Sequence, residues 1–292
     1  MEIASAQVIG RGVHRVAFQV DLKVRPDPEG LSGHHVVLFP YPEEADEIRV
    51  RLEREAKALR YLAQVDPIFR FPKLISAVSY EGAVVLCERF VEGVQLDLRA
   101  GRCLVGDPWE VAGEIAARVH DLKVVADRLD GFETRRAHAL NHIKVLKELN
   151  ESTFLDAYQW CLEHLPPAEP STLIHGDLSG QNILVHPQGL KAPALIDWTF
   201  VLRGDPAHEL AIITQGKRRP FEVDHGHERL LEAYLDAGGT EVSLSDIYLY
   251  ELCLFGRRYM HAKNNRATRV ESPQEPLRLA YHLVRRLNRV RR

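Results

Sequence analysis

Apolar residues change their spacing along the chain. Val16, Phe18, Val20 and Leu22 alternate with Ala17, Gln19, Asp21 and Lys23, the period of two of a strand with one buried face. Turn-forming residues follow in Pro26 to Gly33 (PDPEGLSG), and Val36-Val37-Leu38-Phe39 reads as the second strand of an antiparallel pair, ended by Pro40 and Pro42. From Glu43 the spacing lengthens. Ile48, Leu52, Glu55, Leu59 and Leu62 step by four, three, four and three, which places all five on one helical stripe. Glu55 thus stands among leucines. A carboxylate there either reaches the solvent edge of the helix or takes a buried cationic partner, because an unpaired buried charge is costly. A further strand, Ala83 to Cys87, runs into the connector Glu88 to Gly93.

Beyond position 93 helical periodicity dominates: Val111, Ile115 and Val119 before His120, a segment around Leu146 to Leu162, and later ones around Leu230 to Leu235 and Ile247 to Leu254. The pattern predicts an α+β protein of two lobes sharing a cleft. Residues 1–92 form a small, mostly antiparallel sheet with the Glu43 to Leu62 helix, and residues 93–292 form a mainly helical lobe. Within the second lobe, Thr172 to Asp197 is the exception. There the short runs Ile183 to Val185 and Ala194 to Ile196 flank the turn HPQGLKAP and make a hairpin. No internal repeat or low-complexity tract interrupts the chain.

Polar residues gather at one end of that hairpin. Asn182 opens its first strand, Asp197 ends its second, and both lie at the end away from the turn. An amide oxygen beside a carboxylate suits Mg²⁺, which takes few protein ligands alongside waters and substrate phosphates. Asp177 precedes Asn182 with the D-x-x-x-x-N spacing of a kinase catalytic loop, where the Asp accepts the substrate hydroxyl proton. A lone Asp or Asn beside glycine is usually a turn residue. Three at one end of one hairpin point instead to a phosphoryl-transfer site.

The segment HGDLSGQNILV, followed by LIDWTFVLRGDPAHELA, resembles the aminoglycoside phosphotransferase and choline kinase-like family, supported more loosely by REAKALRYL, VLCERFVEG and AARVHDLK. The resemblance implies a bilobal protein-kinase-like fold, ATP or sometimes GTP as donor, Mg²⁺, and phosphorylation of a hydroxyl group on a small molecule. By motif position it makes Asp177 the catalytic base, with His175 a second catalytic residue of the same loop, and Asn182 and Asp197 the metal ligands, while Asp205 braces the loop after the metal-binding strand. Glu209 stands where the family more often has Asp. In the first lobe the turn Gly10-Arg11-Gly12 would admit phosphate oxygens to backbone N–H groups, although a lone G-x-G serves equally as a hairpin turn. The segment Glu88-Arg89-Phe90 resembles the hinge whose backbone receives the adenine edge. Glu55 corresponds to the helix glutamate.

One family feature is missing. The third strand usually carries a Lys or Arg that contacts donor phosphates and pairs with the helix glutamate, and here that position falls on Leu38 or Phe39. Either another cation substitutes, from among Arg11, His14, Arg15 and His35 with Arg11 and His35 foremost, or the chain is a catalytically silent nucleotide-binding protein. A third class, a metal-dependent hydrolase using His175 and Asp177 as ligands, has no further cluster to support it.

Composition narrows the partners. At 292 residues the chain is near the roughly 250–300 residues at which one core divides. Lys and Arg number 38 against 41 Asp and Glu, so no positive field draws the molecule to nucleic acid or anionic membranes, and a small hydroxyl-bearing acceptor bound by a monomer or homodimer is expected. Basic residues crowd Arg257 to Arg292, yet Leu277, Ala280, Val284 and Leu287 keep a helical stripe between them, as in a packed terminal helix with a solvated outer face. The four cysteines, Cys87, Cys103, Cys161 and Cys253, form no C-x-x-C pair and read as buried reduced thiols. The N-terminus lacks a signal-peptide pattern and no run approaches ~18 apolar residues, so a cytoplasmic location is expected. His225 and His227 read as surface loop residues. The acidic residues Glu222, Asp224, Glu228 and Glu232 fit either a pocket for a cationic acceptor or a solvated helix face.

Overall fold

The computed structural model describes residues 2–12, 15–41, 45–99, 106–123, 129–215, 225–264 and 272–290. His14, Glu43, Cys103, Glu222 and Asp224 lie outside the described residues. The chain divides into two compact units, one of residues 1–95 with 182–201, the other of residues 96–181 with 202–292. Among the described residues no helix is long and apolar enough to cross a membrane.

The first unit is built on an antiparallel sheet of β1 (Glu2–Arg11), β2 (Arg15–Lys23), β3 (Gly33–Pro40), β5 (Ala83–Arg89) and β4 (Leu74–Tyr80), in that order. The helix α1 (Ala45–Val65) packs on one face, where Leu38, Ile48, Leu52, Ala56 and Leu86 form the core and Ala17, Val36, Leu74 and Val84 line it. Residues directly opposite on neighbouring strands share a face, and faces alternate along a strand. The register pairs Arg15 with Pro40, Ala17 with Leu38, and Leu38 in turn with Leu86. Arg15 therefore stands on the α1 face. Arg11 pairs with Val16, and His35 with Val20 and Arg89, which puts both on the opposite face.

The hairpin forms as expected, with β8 (Ile183–Val185) paired to β9 (Ala194–Leu195), and the short strand β6 (Val94–Gln95) adds to its other side. Asp197 then leads into a single 3₁₀ turn, Trp198–Phe200. The hairpin and this turn cluster with the sheet unit.

The second unit is mainly helical: α2 (Pro108–His120), α3 (Arg135–Glu148), α4 (Ser152–Glu163), α5 (Pro206–Gln215), α6 (Gly226–Asp236), α7 (Leu244–Lys263) and α8 (Gln274–Val290), with the strands β7 (Thr172–Ile174) and β10 (Leu202–Gly204) paired antiparallel. The helical segment expected around Leu146 to Leu162 is two helices. Asn150, at φ 51°, breaks it in the left-handed conformation that Asn tolerates. Sequence signals set other ends: Asp107 caps α2 by accepting the Trp109 N–H with Pro108 next in line, and Ser243 and Asp246 form a capping box on α7. In α8, Ala280, Leu283 and Val284 are buried between exposed arginines. Cys161 and Cys253 are buried free thiols, whereas Cys87 is a free thiol only half-buried.

Candidate active site

The motif residues are divided between the units. Asn182 and Asp197 belong to the first, His175 and Asp177 to the second.

In the first unit, the pairing of Ile183 with Leu195 and a bond from the Ile196 N–H to the Asn182 carbonyl (3.0 Å) set Asn182 beside the residues that lead into Asp197. Asn182 is buried. Asp197 has φ 65° and ψ 65°, a left-handed conformation whose strain, of order 1–3 kcal/mol, a surrounding structure must hold in place. The hold is visible. The Trp198 N–H donates to Glu55 Oε1 (3.0 Å), the Thr199 hydroxyl donates to Asp197 Oδ1, and the buried Trp198 ring stacks on Phe69. Glu55 is 1% exposed, and it takes the buried-partner alternative left open by its helical stripe.

That partner is Arg15. Its guanidinium divides between Glu55 Oε2 (Nη1, 2.6 Å) and Asp197 Oδ1 (Nη2, 2.8 Å). The expected candidates are thereby corrected: neither Arg11 nor His35 makes this contact, because both lie on the face of the sheet away from α1. Arg11 is exposed, and His35 is buried with its ring Nδ1 on the Gly33 carbonyl (2.9 Å). Burial alone would lower the Arg15 pKa, but the Glu55 and Asp197 carboxylates raise it above the ordinary guanidinium value.

Glu88 lies on the same face, opposite Val36 of β3. It is buried, and its Oε1 has no hydrogen-bond partner among the described residues. Burial, with Glu55 adding to it, pushes this carboxyl well above the usual carboxylate range, while Arg15 opposes the shift. Its side chain thus takes part in the cluster, although the hinge reading used only its backbone. The two N–H groups that follow are engaged, Arg89 with the Lys73 carbonyl (2.8 Å) and Phe90 with the His34 carbonyl (3.1 Å). In the G-x-G segment, Gly10 lies in β1 opposite Ala17, and the exposed Gly12 donates its N–H to the Arg15 carbonyl (2.9 Å), a bond between the ends of β1 and β2.

In the second unit, the H-G-D loop is clamped by Glu209. This fully buried α5 carboxylate accepts backbone N–H groups from His175, from Gly176 (2.9 Å) and from Leu178 (3.3 Å). Gly176, at φ 80°, supplies the left-handed turn that aims three nearby N–H groups at one carboxylate. His175 is buried, and its Nδ1 accepts the Asp177 N–H (3.3 Å). Farther along, Gly180 passes so close to Leu96 that a Cβ would stand 2.4 Å from the Leu96 carbonyl oxygen. Behind the clamp, His120 Nε2 lies 3.6 Å from Glu209 Oε2 while its Nδ1 meets the Tyr234 hydroxyl (2.9 Å).

Asp205 braces this region from the start of α5. It accepts from Arg135 Nε (3.0 Å), the Ala207 N–H (3.1 Å) and the Tyr250 hydroxyl (3.2 Å). The clamp, and the His120 and Arg135 contacts behind it, were not apparent from spacing. Their one sequence signal is charged or imidazole side chains inside apolar helical stripes. His227 also departs from expectation: it sits in α6 with its Nε2 on the Glu251 carboxylate (2.8 Å) rather than in a surface loop. His225 precedes that helix and is exposed.

Comparison with known structures places this architecture. The GDP complex of an aminoglycoside 2'-phosphotransferase-IIIa aligns over 98% of this chain and 93% of its own with a TM-score of 0.68 at 14% identity. A choline kinase from Streptococcus pneumoniae gives 0.66 at 17% identity, over 98% and 95%. A choline/ethanolamine kinase family protein from Mesorhizobium loti gives 0.63 at 18% identity, over 97% and 88%. At these identities the likeness is one of fold. Among curated sequences, acyl-CoA dehydrogenase family member 10 of Mus musculus is 27% identical over 105 residues, 34% of this chain and 10% of that protein. Acyl-CoA dehydrogenase family member 11 of Homo sapiens is 27% identical over 114 residues, 34% of this chain and 14% of that protein. The matched stretch thus spans about a seventh or less of these relatives' length. Residues 31–247 match the model of the phosphotransferase enzyme family, a span that takes in the α1 glutamate, the clamped loop and the hairpin, and the chain belongs to that family.

Proposed function

We propose that this protein is a small-molecule kinase that transfers the terminal phosphoryl group of ATP, or of GTP, to a hydroxyl of its acceptor. The observation that carries this reading is the hairpin. The Ile196–Asn182 bond brings an amide oxygen and a carboxylate to one end of two short strands, and a strained backbone presents the carboxylate. This donor set fits Mg²⁺, a hard cation satisfied by one or two protein oxygens when phosphates and waters supply the rest. Asn182 and Asp197 would hold it, and when bound it would neutralise charge on the donor phosphates. Residues 1–92 would carry the nucleotide, with Gly10, Arg11, Gly12 and the carbonyls of the Glu88 to Phe90 segment among its contacts, and residues 93–292 the acceptor.

Asp177 accepts the acceptor hydroxyl proton as that oxygen bonds to phosphorus and the bridging P–O bond to the nucleoside diphosphate breaks. The Glu209 clamp holds the Asp177 backbone on both sides, so its carboxylate does not have to be ordered during the reaction. A metal-hydrolase reading built on His175 and Asp177 lacks a ligand set: among the described residues no three His, Cys, Asp or Glu side chains group around a metal position. The silent-binder reading draws on one observation, Leu38 buried where the family has its cation.

Nucleotide consumption measured across sugars, amino alcohols, aminoglycosides and other hydroxyl-bearing metabolites separates these readings. On an identified acceptor, Asp177→Asn is expected to lower turnover by about 10²–10⁴ while keeping nucleotide affinity, the range for loss of a positioned base. Asp197→Ala is expected to weaken Mg²⁺-dependent nucleotide binding instead. Intact turnover in Asp177→Asn would remove the base assignment, and nucleotide binding without transfer to any acceptor would favour the silent binder.

A further inference from the structure

The family's phosphate cation has no counterpart on the third strand, yet the sheet offers one beside it. Phe39 pairs with Val16, on the face away from α1, whereas Leu38 pairs with Ala17 inside the α1 core. Leu38 is thus the position from which a third-strand cation would reach Glu55. Arg15 pairs with Pro40, two residues beyond Leu38, so it occupies the same face one strand over. Neighbouring strands lie about 4.8 Å apart and two residues advance about 6.8 Å, distances that a long, flexible arginine side chain spans. Its guanidinium reaches the glutamate that a third-strand lysine would have paired with.

We infer that Arg15 is the cation that contacts the donor phosphates in this chain, keeping Glu55 on one arm of its guanidinium and exchanging Asp197 for phosphate oxygen on the other. The inference rests on the phosphotransferase reading above. The divided contact is what supports it. A purely structural arginine satisfies a buried Glu55 with one arm, as Nη1 does here, but Nη2 is spent on a carboxylate whose side chain is 34% exposed and stands where the metal would be held. When Asp197 turns to a cation, that N–H arm needs another anionic acceptor. Phosphate suits it, because the fork of a guanidinium matches phosphate oxygens. Charge points the same way: the carboxylates of Glu55 and Asp197 share this one guanidinium, with the buried Glu88 carboxyl, whose Oε1 has no hydrogen-bond partner among the described residues, beside them. Such a cluster favours a ligand that brings its own cation with its anion, as a metal nucleotide does.

Calorimetric titration with Mg·ATP and with adenosine tests the inference. Arg15→Ala would strand a buried carboxylate, so Arg15→Met is combined with Glu55→Gln, which removes both charges and keeps an acceptor for the Trp198 N–H. The pair is expected to bind Mg·ATP about ten- to a hundred-fold more weakly than wild type, the range for losing one charge-assisted contact, with adenosine affinity unchanged. Glu55→Gln alone keeps the cation, so the pair is also read against it: a further loss of Mg·ATP affinity in the pair of about ten-fold or more belongs to Arg15, and equal binding by the two overturns the inference. Should the pair not fold, Arg15→Gln is read the same way: a loss for ATP without one for adenosine supports the contact. An equal loss for both ligands, or none for either, makes Arg15 a structural brace and overturns the inference. Failure of the wild type to bind ATP or GTP with any divalent metal overturns the phosphotransferase reading itself, a result distinct from either variant outcome.

Discussion

Glu209→Ala is the substitution whose consequence follows most directly from the geometry. The wild-type carboxylate is fully buried and accepts three main-chain N–H groups, from His175, Gly176 and Leu178. Removing it leaves three donors without their acceptor in a region too closed for each to find water. An orphaned buried donor costs about 1–3 kcal/mol, so three cost about 3–9 kcal/mol. The lower part of that range, about 3–5 kcal/mol, is the better guide, because some donors regain partners as the loop relaxes. For a unit of about 150–250 residues each kcal/mol shifts Tm by about 2–4 °C, so the expected drop is about 6–20 °C. Thermal unfolding measures it, and hydrogen exchange at the three amides locates it. Glu209→Asp restores the residue commoner in the family but shortens the side chain by one bond of about 1.5 Å. Contacts at 2.9 and 3.3 Å would then pass beyond hydrogen-bonding range unless α5 moved, so an intermediate loss is expected. A Tm for Glu209→Ala within 2 °C of wild type (about the shift of 1 kcal/mol), or unchanged protection of the three amides, would refute the clamp.

Two further expectations concern the helical unit. His138, His142 and His208 pack ring to ring beside Tyr250, and burial lowers the pKa of each, that of His138 to about 3 and those of His142 and His208 well below the usual imidazole value. The unfolded chain, with imidazoles near 6.5, binds more protons than the folded one throughout that window. Stability is therefore complete above about pH 6.5 and falls as pH drops toward 3, by up to about 1.4 kcal/mol per pH unit for each histidine. His227, raised by Glu251 despite its burial, works in the opposite sense and above that window: its contribution is full below about pH 6.5 and fades as pH rises past it. Urea unfolding between pH 7.5 and 5 should show the fall, and a shallower slope in His208→Phe; equal slopes would exclude the cluster as its source. In α2, a Cβ at Gly113 would stand 2.7 Å from the Leu230 carbonyl oxygen and 2.9 Å from the Tyr234 nitrogen of α6. Gly113→Ala should cost about 1–3 kcal/mol by forcing the two helices apart, and a neutral unfolding midpoint would show that they yield freely.

What was legible in the sequence, and what was not, follows from which residues carry the periodic signal. The hairpin declared itself because two aliphatic runs flank a Pro/Gly turn, and α1 because its stripe is aliphatic but for Glu55. β1 did not, since nearly all its residues are exposed and no alternation is required of it. α3 was hidden for the opposite reason: its buried positions include Arg135, His138 and His142, which look polar in any hydrophobic pattern. That Arg15, rather than Arg11 or His35, meets Glu55 was hidden for a related reason. Alternation in β2 suggests that Val16, Phe18 and Val20 form its one buried face, which would leave Arg15 with the polar set, but α1 covers the Ala17 and Leu38 face instead. A strand half-buried on both sides does not say which face its helix will choose. Long-range pairing was equally invisible: β6 joins β8 across about ninety residues of chain, a contact that local periodicity does not encode.

Glu55 and Glu209 share a physical logic that explains why both are buried. Each is a lone carboxylate in an apolar helical stripe, and each accepts main-chain N–H groups next to an aspartate of the motif: Glu55 the Trp198 N–H that follows Asp197, Glu209 those of His175, Gly176 and Leu178 around Asp177. Neither segment is a regular strand or α-helix at that point, so its N–H groups have no ladder to join, and burial without an acceptor would cost each of them. A neutral acceptor would satisfy one or two donors. A carboxylate satisfies up to four without introducing a donor of its own, which is why a charge is tolerated in each core. Holding the main chain matters for chemistry, because Glu55 and Glu209 fix where Asp177 and Asp197 emerge through backbone N–H groups, and a carboxylate acceptor takes nothing from the aspartate oxygens themselves. In Asp197 the same hold sustains a left-handed backbone. Glu55→Ala is therefore expected to lower Mg·nucleotide affinity together with stability, since the strained turn would relax and carry the Asp197 carboxylate away from Asn182; retained affinity in a folded Glu55→Ala protein would show that the turn holds its geometry unaided.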